Sequence, residues 1–233
     1  MPELSSAKGA AVYTRPFLRI YDWWVLGIVN SLSWRCSTTK ILLPFFASHL
    51  PSNHLDIGVG TGYYLSHCSL TPEHHITLMD LNKNSLETTN ARIGNVARMF
   101  KGDALAPSLP FMKEEKFESI SLIYLLHCMP GPLERKKVLF ENLREYLADD
   151  GVLYGTTILG KDVKHNLFGK FLMLFLNTVG IFGNWGDSEE GYEAALKENF
   201  EDVDVRVVEV VLLFTAKKPK KDVRVSNGGR RTV

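Results

Sequence analysis

The residues best placed to do chemistry are glycines and carboxylates at recurring positions. Leu55 to Leu65 reads LDIGVGTGYYL, with glycines at 58, 60 and 62 where a short apolar run gives way to a helical one. Glycine tolerates the backbone angles of a tight turn and lets a ligand approach the main chain with no Cβ intervening. A helix starting there presents free N–H groups and the positive end of its dipole. A plain turn could use the same glycines, so the motif by itself is weak. Position 63 narrows the ligand: a dinucleotide fingerprint counted from Gly58 needs a third glycine there, and Tyr63 would obstruct a pyrophosphate. Asp56, just before the first glycine, places an acid at the end of the same strand, which suits a cationic ligand.

Two more acids close predicted strands. Asp80 ends TLMDLN, where a carboxylate can accept both hydroxyls of a ribose. Asp103 ends FKGDAL, where it can accept a hydrogen bond from an adenine amino group. Each alone could be a surface or capping acid. Jointly, at the carboxyl ends of successive strands beside a GxGxG turn, they point to a nucleoside site.

This set resembles the class I S-adenosylmethionine-dependent methyltransferases over about residues 51 to 218. LDIGVGTG is similar to their first motif, Asp80 followed by Leu81 to their ribose-binding acid, and Asp103–Ala104 to their adenine-contact pair. FESISLIYLLHCMPG and LADDGVLYGTTIL resemble the fourth strand and the helix–Gly–strand that follows. The sequence departs from the pattern at Glu118, usually Asp, and at Ile123, usually Asn or Ser. No Asn-Pro-Pro-Tyr or Asp-Pro-Pro-Tyr motif follows, which argues against amino-directed nucleic-acid methyltransferases. The resemblance implies S-adenosyl-L-methionine as cofactor, S-adenosyl-L-homocysteine as product, and in-line transfer of a methyl group. Asp56, Gly58, Gly60, Gly62, Asp80, Leu81, Asp103 and Ala104 would hold the cofactor, and no metal is expected.

The elements that must position these residues follow from apolar patterning. Strands and helices alternate from Asn53 onward, and the strands are apolar without alternation, the mark of a parallel sheet covered on both faces. The expected fold is α/β: a doubly wound, mostly parallel, seven-stranded, Rossmann-like sheet. An N-terminal helical cap (residues 1–50) precedes the core (51–218), an extra helix follows the fifth strand, and a basic tail (219–233) ends the chain. A helix is expected from Pro132 to Ala148, with Gly151 beyond its end. Asp187 with Glu190 reads as a capping-box start. VDVRVVEVVLLFTAKK reads as two strands meeting near Glu209–Val210, although no Gly or Asn marks the turn.

His127 follows the fourth strand and is the candidate base, with a hydrogen-bonded core histidine as the bland alternative. His165 opens the extra helix and suits solvent better than the pocket. A Cys128–His127 nucleophile carries little weight, because neighbouring side chains point apart. The cap holds Tyr13, Tyr21, Trp23, Trp24 and Trp34 but only two acids, Glu3 and Asp22. Its aromatics could form a lid over an apolar substrate or merely pack. The resemblance implies a tyrosine near the sulfonium, and Tyr21 is the choice. Phe168, Phe171, Met173 and Phe175 of the extra helix would form the opposite wall. Cap cations Lys8, Arg15, Arg19, Arg35 and Lys40 hint at an acidic or enolic substrate.

The 233 residues carry 27 Lys and Arg against 26 Asp and Glu, so no global field draws the chain to nucleic acid or an anionic membrane. Three cysteines without a CxxC pair fit a reducing compartment. The N-terminus has no apolar signal region, and the most lipid-like run, Phe171 to Phe182, is too short to span a bilayer. The expected protein is a cytoplasmic methyltransferase acting on oxygen, then carbon, of a small apolar or aromatic molecule. Two alternatives stay open: use of the bound cofactor, without methyl transfer, to promote a cyclisation or rearrangement, and a cofactor-binding regulatory module.

Overall fold

The computed structural model describes Thr14, Leu18 and residues 20–106, 109–111 and 114–221. The expectations for Lys8, Tyr13, Arg15, Arg19 and the tail beyond residue 221 lie outside the described residues.

Seven strands form one sheet: β1 (Asn53–Ile57), β2 (His75–Asp80), β3 (Arg98–Lys101), β4 (Phe117–Ile123), β5 (Leu147–Ile158), β6 (Phe200–Val208) and β7 (Val211–Pro219). Their order is β3-β2-β1-β4-β5-β7-β6. The pairs among β1 to β5 are parallel, while β7 runs antiparallel to both β5 and β6. The chain moves outward one way from β1 through β2 to β3, then resumes on the other side with β4. Ligands of open α/β sheets bind where the order reverses, outside the strands' carboxyl ends. Here that place lies beyond Ile57 and Ile123.

The parallel strands are apolar because both their faces are covered. Leu55, Ile57, Ile120, Leu122 and Leu153 are buried with Leu139, Phe140 and Leu143 from a covering helix. The helices are α1 (Asp22–Trp34), with wide π-type turns, α2 (Thr38–Leu42) running into α3 (Leu43–Ala47), α4 (Tyr63–Ser66), α5 (Lys83–Arg92), α6 (Leu133–Arg144), α7 (Leu167–Thr178) and α8 (Glu189–Asn199). Short polar side chains start several of them. Asn82 accepts from the Asn84 N–H at 2.8 Å and Asn166 from the Gly169 N–H at 2.7 Å.

Two local expectations change. The helix after Pro132 ends at Arg144, and Leu147 already pairs with Phe117, so Gly151 sits inside β5. Ser188, not Asp187, caps α8, accepting from the Gly191 N–H at 3.2 Å. Asp187 is buried for another purpose described below. The β6–β7 turn forms where the sequence pattern put it, and Glu209 itself takes the left-handed conformation (φ 58°) that glycine would ordinarily supply.

Candidate active site

The glycine turn forms the floor of a narrow cleft at the carboxyl end of β1. Gly58, Gly60 and Gly62 all have positive φ. A Cβ on Gly58 would strike Leu125 and one on Gly62 would strike Thr89, whereas Gly60 faces open space. The first and third glycines therefore permit close packing, and the middle one leaves its main chain free for a ligand. Asp56, Gly58, Gly60, Thr61, Tyr63 and Tyr64 line this cleft, closed by Tyr21 from the segment entering α1 and Tyr124 after β4.

Its acids are held with care. The Ser121 hydroxyl donates to Asp56 Oδ1 at 2.6 Å, and Ser121 also contacts the His54 ring, which bonds Ser119. Burial pushes Asp56 up from 3.8 to about 7, against the Ser121 hydrogen bond, with Asp80 adding like-charge repulsion. Burial likewise raises Asp80 to about 6 although main-chain N–H groups of Asn82, Gly60, Val59 and Leu81 oppose the rise. Asp80 thus joins the end of β2 to the glycine turn. The Gly102 N–H donates to the Asp80 carbonyl, which brings Asp103 to the same sheet edge. There Asp103 Oδ1 accepts from the Leu105 N–H at 3.0 Å. Ala104 is buried in the core, and of the expected cofactor residues Gly62, Asp80, Leu81, Asp103 and Ala104 do not line the narrow cleft.

A second cavity of about 320 Å³ adjoins the first, and Tyr21 and Tyr124 line both. Its walls are Trp24, Val25, Val29 and Trp34 from α1, Leu172, Phe175 and Leu176 from α7, Ile158 from β5, and Ile181 and Phe182 beyond α7. Asn30, His127 and Cys128 are the other polar contributors. Of the expected wall residues, Phe175 faces the cavity. Met173 is buried beneath the helix, and Phe168 and Phe171 point outward, because helical periodicity fixes a stripe but not which neighbour covers it. Trp23 is also exposed. The two described cap cations are elsewhere: Arg35 pairs with Glu209 at 3.1 Å, and Lys40 lies in a separate groove with Phe45 and Arg206.

His127 is 4% exposed on a single 3₁₀ turn (Leu126–Cys128), its ring 4.5 Å from Phe182. The Ile158 N–H donates to its Nδ1 at 3.3 Å, with the Thr157 hydroxyl at 3.4 Å. This assigns the ring proton to Nε2. Burial, and then Lys136, hold its pKa down to about 3. The ring is therefore neutral at physiological pH, a hydrogen-bond donor through Nε2 and a feeble base. Cys128 is pushed up to about 12 by burial, so no thiolate forms. His165 is neither pocket nor solvent: it packs edge-on against Trp34 and its Nε2 contacts the Leu159 carbonyl at 2.8 Å.

Three residues around the two cavities carry contacts that the sequence does not announce. Asp22 accepts from the Thr61 hydroxyl and from Arg92, both at 2.5 Å, clipping the start of α1 to the glycine turn beside Tyr21. Its signal was visible, since it is one of only two acids among the first fifty residues. Tyr124 adopts φ 55° directly after β4 and stands between the cavities. Lys136 is fully buried, donating to Asp187 Oδ2 at 2.6 Å and to the Gly183 carbonyl at 2.9 Å. Tyr192 donates to the same Asp187 oxygen at 2.6 Å, and the Gly183 N–H returns to the His127 carbonyl at 2.9 Å. Nothing in a helix reading LERKKVLF distinguishes a buried lysine from its solvated neighbours.

Residues 55–153 match the family model described as a methyltransferase domain. A physcion biosynthesis cluster O-methyltransferase from Aspergillus chevalieri is 47% identical over 222 residues, 94% of this chain and 100% of that one. The chain belongs to the S-adenosylmethionine-dependent methyltransferases. Its relatives reach beyond fungi: a putative uncharacterized protein, YbcY, of Escherichia coli is 46% identical, covering 84% of this chain and 100% of its own. The fold is shared with the DhpI complex with S-adenosylhomocysteine, at a TM-score of 0.68 and 14% identity, over 95% of this chain and 100% of that one.

The methyltransferase's own residues fit its cofactor. Gly60 leaves open space where a side chain would sit, and Asp80 offers a half-buried carboxylate at the end of β2, where a ribose could be held. The Tyr64 hydroxyl, buried in the cleft wall, has no hydrogen-bond partner among the described residues. Acids raised toward neutrality by burial regain their charged form when a cation or hydroxyl donors arrive. No helix among the described residues is long and apolar enough to cross a membrane.

Proposed function

We propose that this methyltransferase acts on an oxygen of a small, largely apolar aromatic molecule, with carbon as the second choice of acceptor atom. The observation that carries the reading is the apolar cavity of about 320 Å³ that meets the cofactor cleft at Tyr21 and Tyr124. The relatives named as O-methyltransferases, from the physcion cluster of A. chevalieri and adaD of Aspergillus niger, support oxygen.

Bound S-adenosylmethionine supplies a methyl group on a sulfonium centre. The chain's part is then to orient and to dry the acceptor. Asp56, Gly58, Gly60, Gly62, Asp80, Leu81, Asp103 and Ala104 remain the proposed cofactor residues, with Asp80 taking the ribose hydroxyls. Tyr21 and Tyr124 align the acceptor where the cavities meet. His127 donates its Nε2–H to an acceptor oxygen and keeps that oxygen toward the cleft. With His127 held near 3 and Cys128 near 12, neither serves as a base near neutrality. The substrate class that follows is a phenol or enol acidic enough to ionise readily.

The division into a cap (residues 1–50), a core (51–218) and a tail (219–233) belongs to this reading, with the cap shaping the pocket. So does a cytoplasmic location, favoured by three cysteines without a disulfide among them. A nearly neutral chain favours a small-molecule acceptor over nucleic acid.

Incubation with methyl-labelled S-adenosylmethionine and a panel of hydroxylated polycyclic aromatics tests the reading. Label should appear in a methyl ether, and more readily on the more acidic phenols. Turnover confined to amines, or rearrangement of an acceptor without label, would reject it.

A further inference from the structure

The surface around the mouth of the apolar cavity has the wrong composition for water. Helix α7 buries Gly169 and Met173 but turns Leu167 (86% exposed), Phe171 (63%) and Leu174 (60%) outward. The Phe171 and Phe175 rings stack at 6.4 Å with nearly parallel planes. Beside it on α1, Trp23 is 68% exposed and Leu32 59%. The helices are joined: Asn166 at the start of α7 donates to the Leu32 carbonyl at 2.7 Å. Trp24 and Phe175, both still partly in solvent, line the cavity from either side, so the patch surrounds the way in. A helix apolar nearly all round is ordinarily buried, and large contiguous apolar patches mark contact surfaces.

The charges choose the occupant. No Asp or Glu occurs from residue 163 to 186, nor from 23 to 55. Lys164 and Lys170 are exposed beside the outward face of α7. A second copy of the chain in a two-fold pairing would bring this face against itself, cations and all, with no carboxylate to meet them. An anionic lipid surface meets both features: headgroups for the lysines, and acyl boundary for Phe, Leu and the amphipathic Trp rings. At 12 residues α7 is too short to cross a bilayer, so it would lie in the interface.

We propose that the outward faces of α7 and α1 form a docking surface for an anionic membrane, seating the cavity mouth at the lipid boundary where an apolar acceptor partitions. The docking does not depend on the acceptor's identity, and cofactor binding reports separately on the methyltransferase site.

The full chain is floated with vesicles of phosphatidylcholine, with and without phosphatidylserine at about one-third of the lipid. Wild type should partition at least about tenfold better to the anionic vesicles, and more weakly as salt rises. The double variant Phe171→Glu with Leu174→Glu, neither residue lining the cavity, should lose binding while keeping its melting temperature and its affinity for S-adenosylhomocysteine. Lys170→Gln should lower partitioning about fivefold, the factor expected for one cation near such a surface. Failure of wild type to float with either vesicle would overturn the proposal. So would equal binding by the double variant, or a wild-type dimer in light scattering that the double variant converts to monomer.

Discussion

The two cavities meet at Tyr21 and Tyr124, yet they are built from opposite materials. The narrow cleft is made of the glycine-turn main chain, Asp56 at the end of β1 and the tyrosines around them, and its floor is fixed by the sheet's own register. The apolar cavity is made of side chains from α1, α7 and the segment after α7, held by apolar packing against β5 and β7 and by a few polar ties. Sheet register resists substitution, since each strand is held by a ladder of hydrogen bonds. A wall of packed helices depends on a few ties, here Asp22 to Thr61 and Arg92, and Lys136 to Asp187 and Gly183. The cleft should therefore fail in affinity, and the cavity in stability and in its grip on the acceptor.

The severest break should be Lys136→Met. It leaves Asp187 buried without its cation, a loss of about 3–5 kcal/mol by the usual cost of breaking a buried pair. Chemical denaturation measures it. In protein that remains folded, the acceptor KM should rise more than the cofactor Kd, because the Gly183 anchor holds the segment carrying Phe182. Equal changes in both constants would dissolve the distinction between the two regions.

Next comes Asp80→Ala, which should weaken S-adenosylhomocysteine about a hundredfold in calorimetry, the worth of two hydrogen bonds to a charged acceptor. Since the carboxylate is the accepting form and sits near 6, wild-type affinity should fall as pH drops below about 6. The variant should lack that dependence.

Asp56 sharpens the comparison through pH. Unfolded it releases its proton near 3.8, while folded it holds the proton to about 7. The folded form binds more protons across that window, so the stability this group contributes falls as pH rises from 4 to 7, then levels. Asp56→Asn escapes the penalty. Its stability relative to wild type should be more favourable at pH 8 than at pH 5 by of order 2 kcal/mol. His54 and His127, both near 3, act in the other direction, since acidification below 6.5 favours the unfolded chain. The smallest effect should be Asp22→Ala, about a tenfold loss in kcat/KM through Tyr21, with a small fall in melting temperature from the lost tie.

The cleft was legible because its chemistry is local. Glycines 58, 60 and 62 have to be glycine for backbone reasons, and Asp56 and Asp80 lie within a few residues of strands whose apolar runs announce them. The cavity was legible only in outline. The aromatic cap suggests one, but Phe168 and Phe171, expected inward, face out, while Leu172 and Leu176, which the pattern does not single out, line it. Amphipathic reading needs a polar face for contrast, and α7 has almost none.

What the sequence determined by itself was the order of strands and helices, the glycine turn and the acids at the strand ends. These depend on backbone conformation and periods of two and 3.6, which neighbours along the chain impose. Tertiary structure alone decided that Lys136 lies dry against Asp187. It also decided that His127 surrenders Nδ1 to the Ile158 N–H and loses its basicity, and that Tyr124 stands between the two cavities. Each depends on contacts between segments distant in the chain, and burial, which sets the charge state of every one of these groups, is a property no single segment carries.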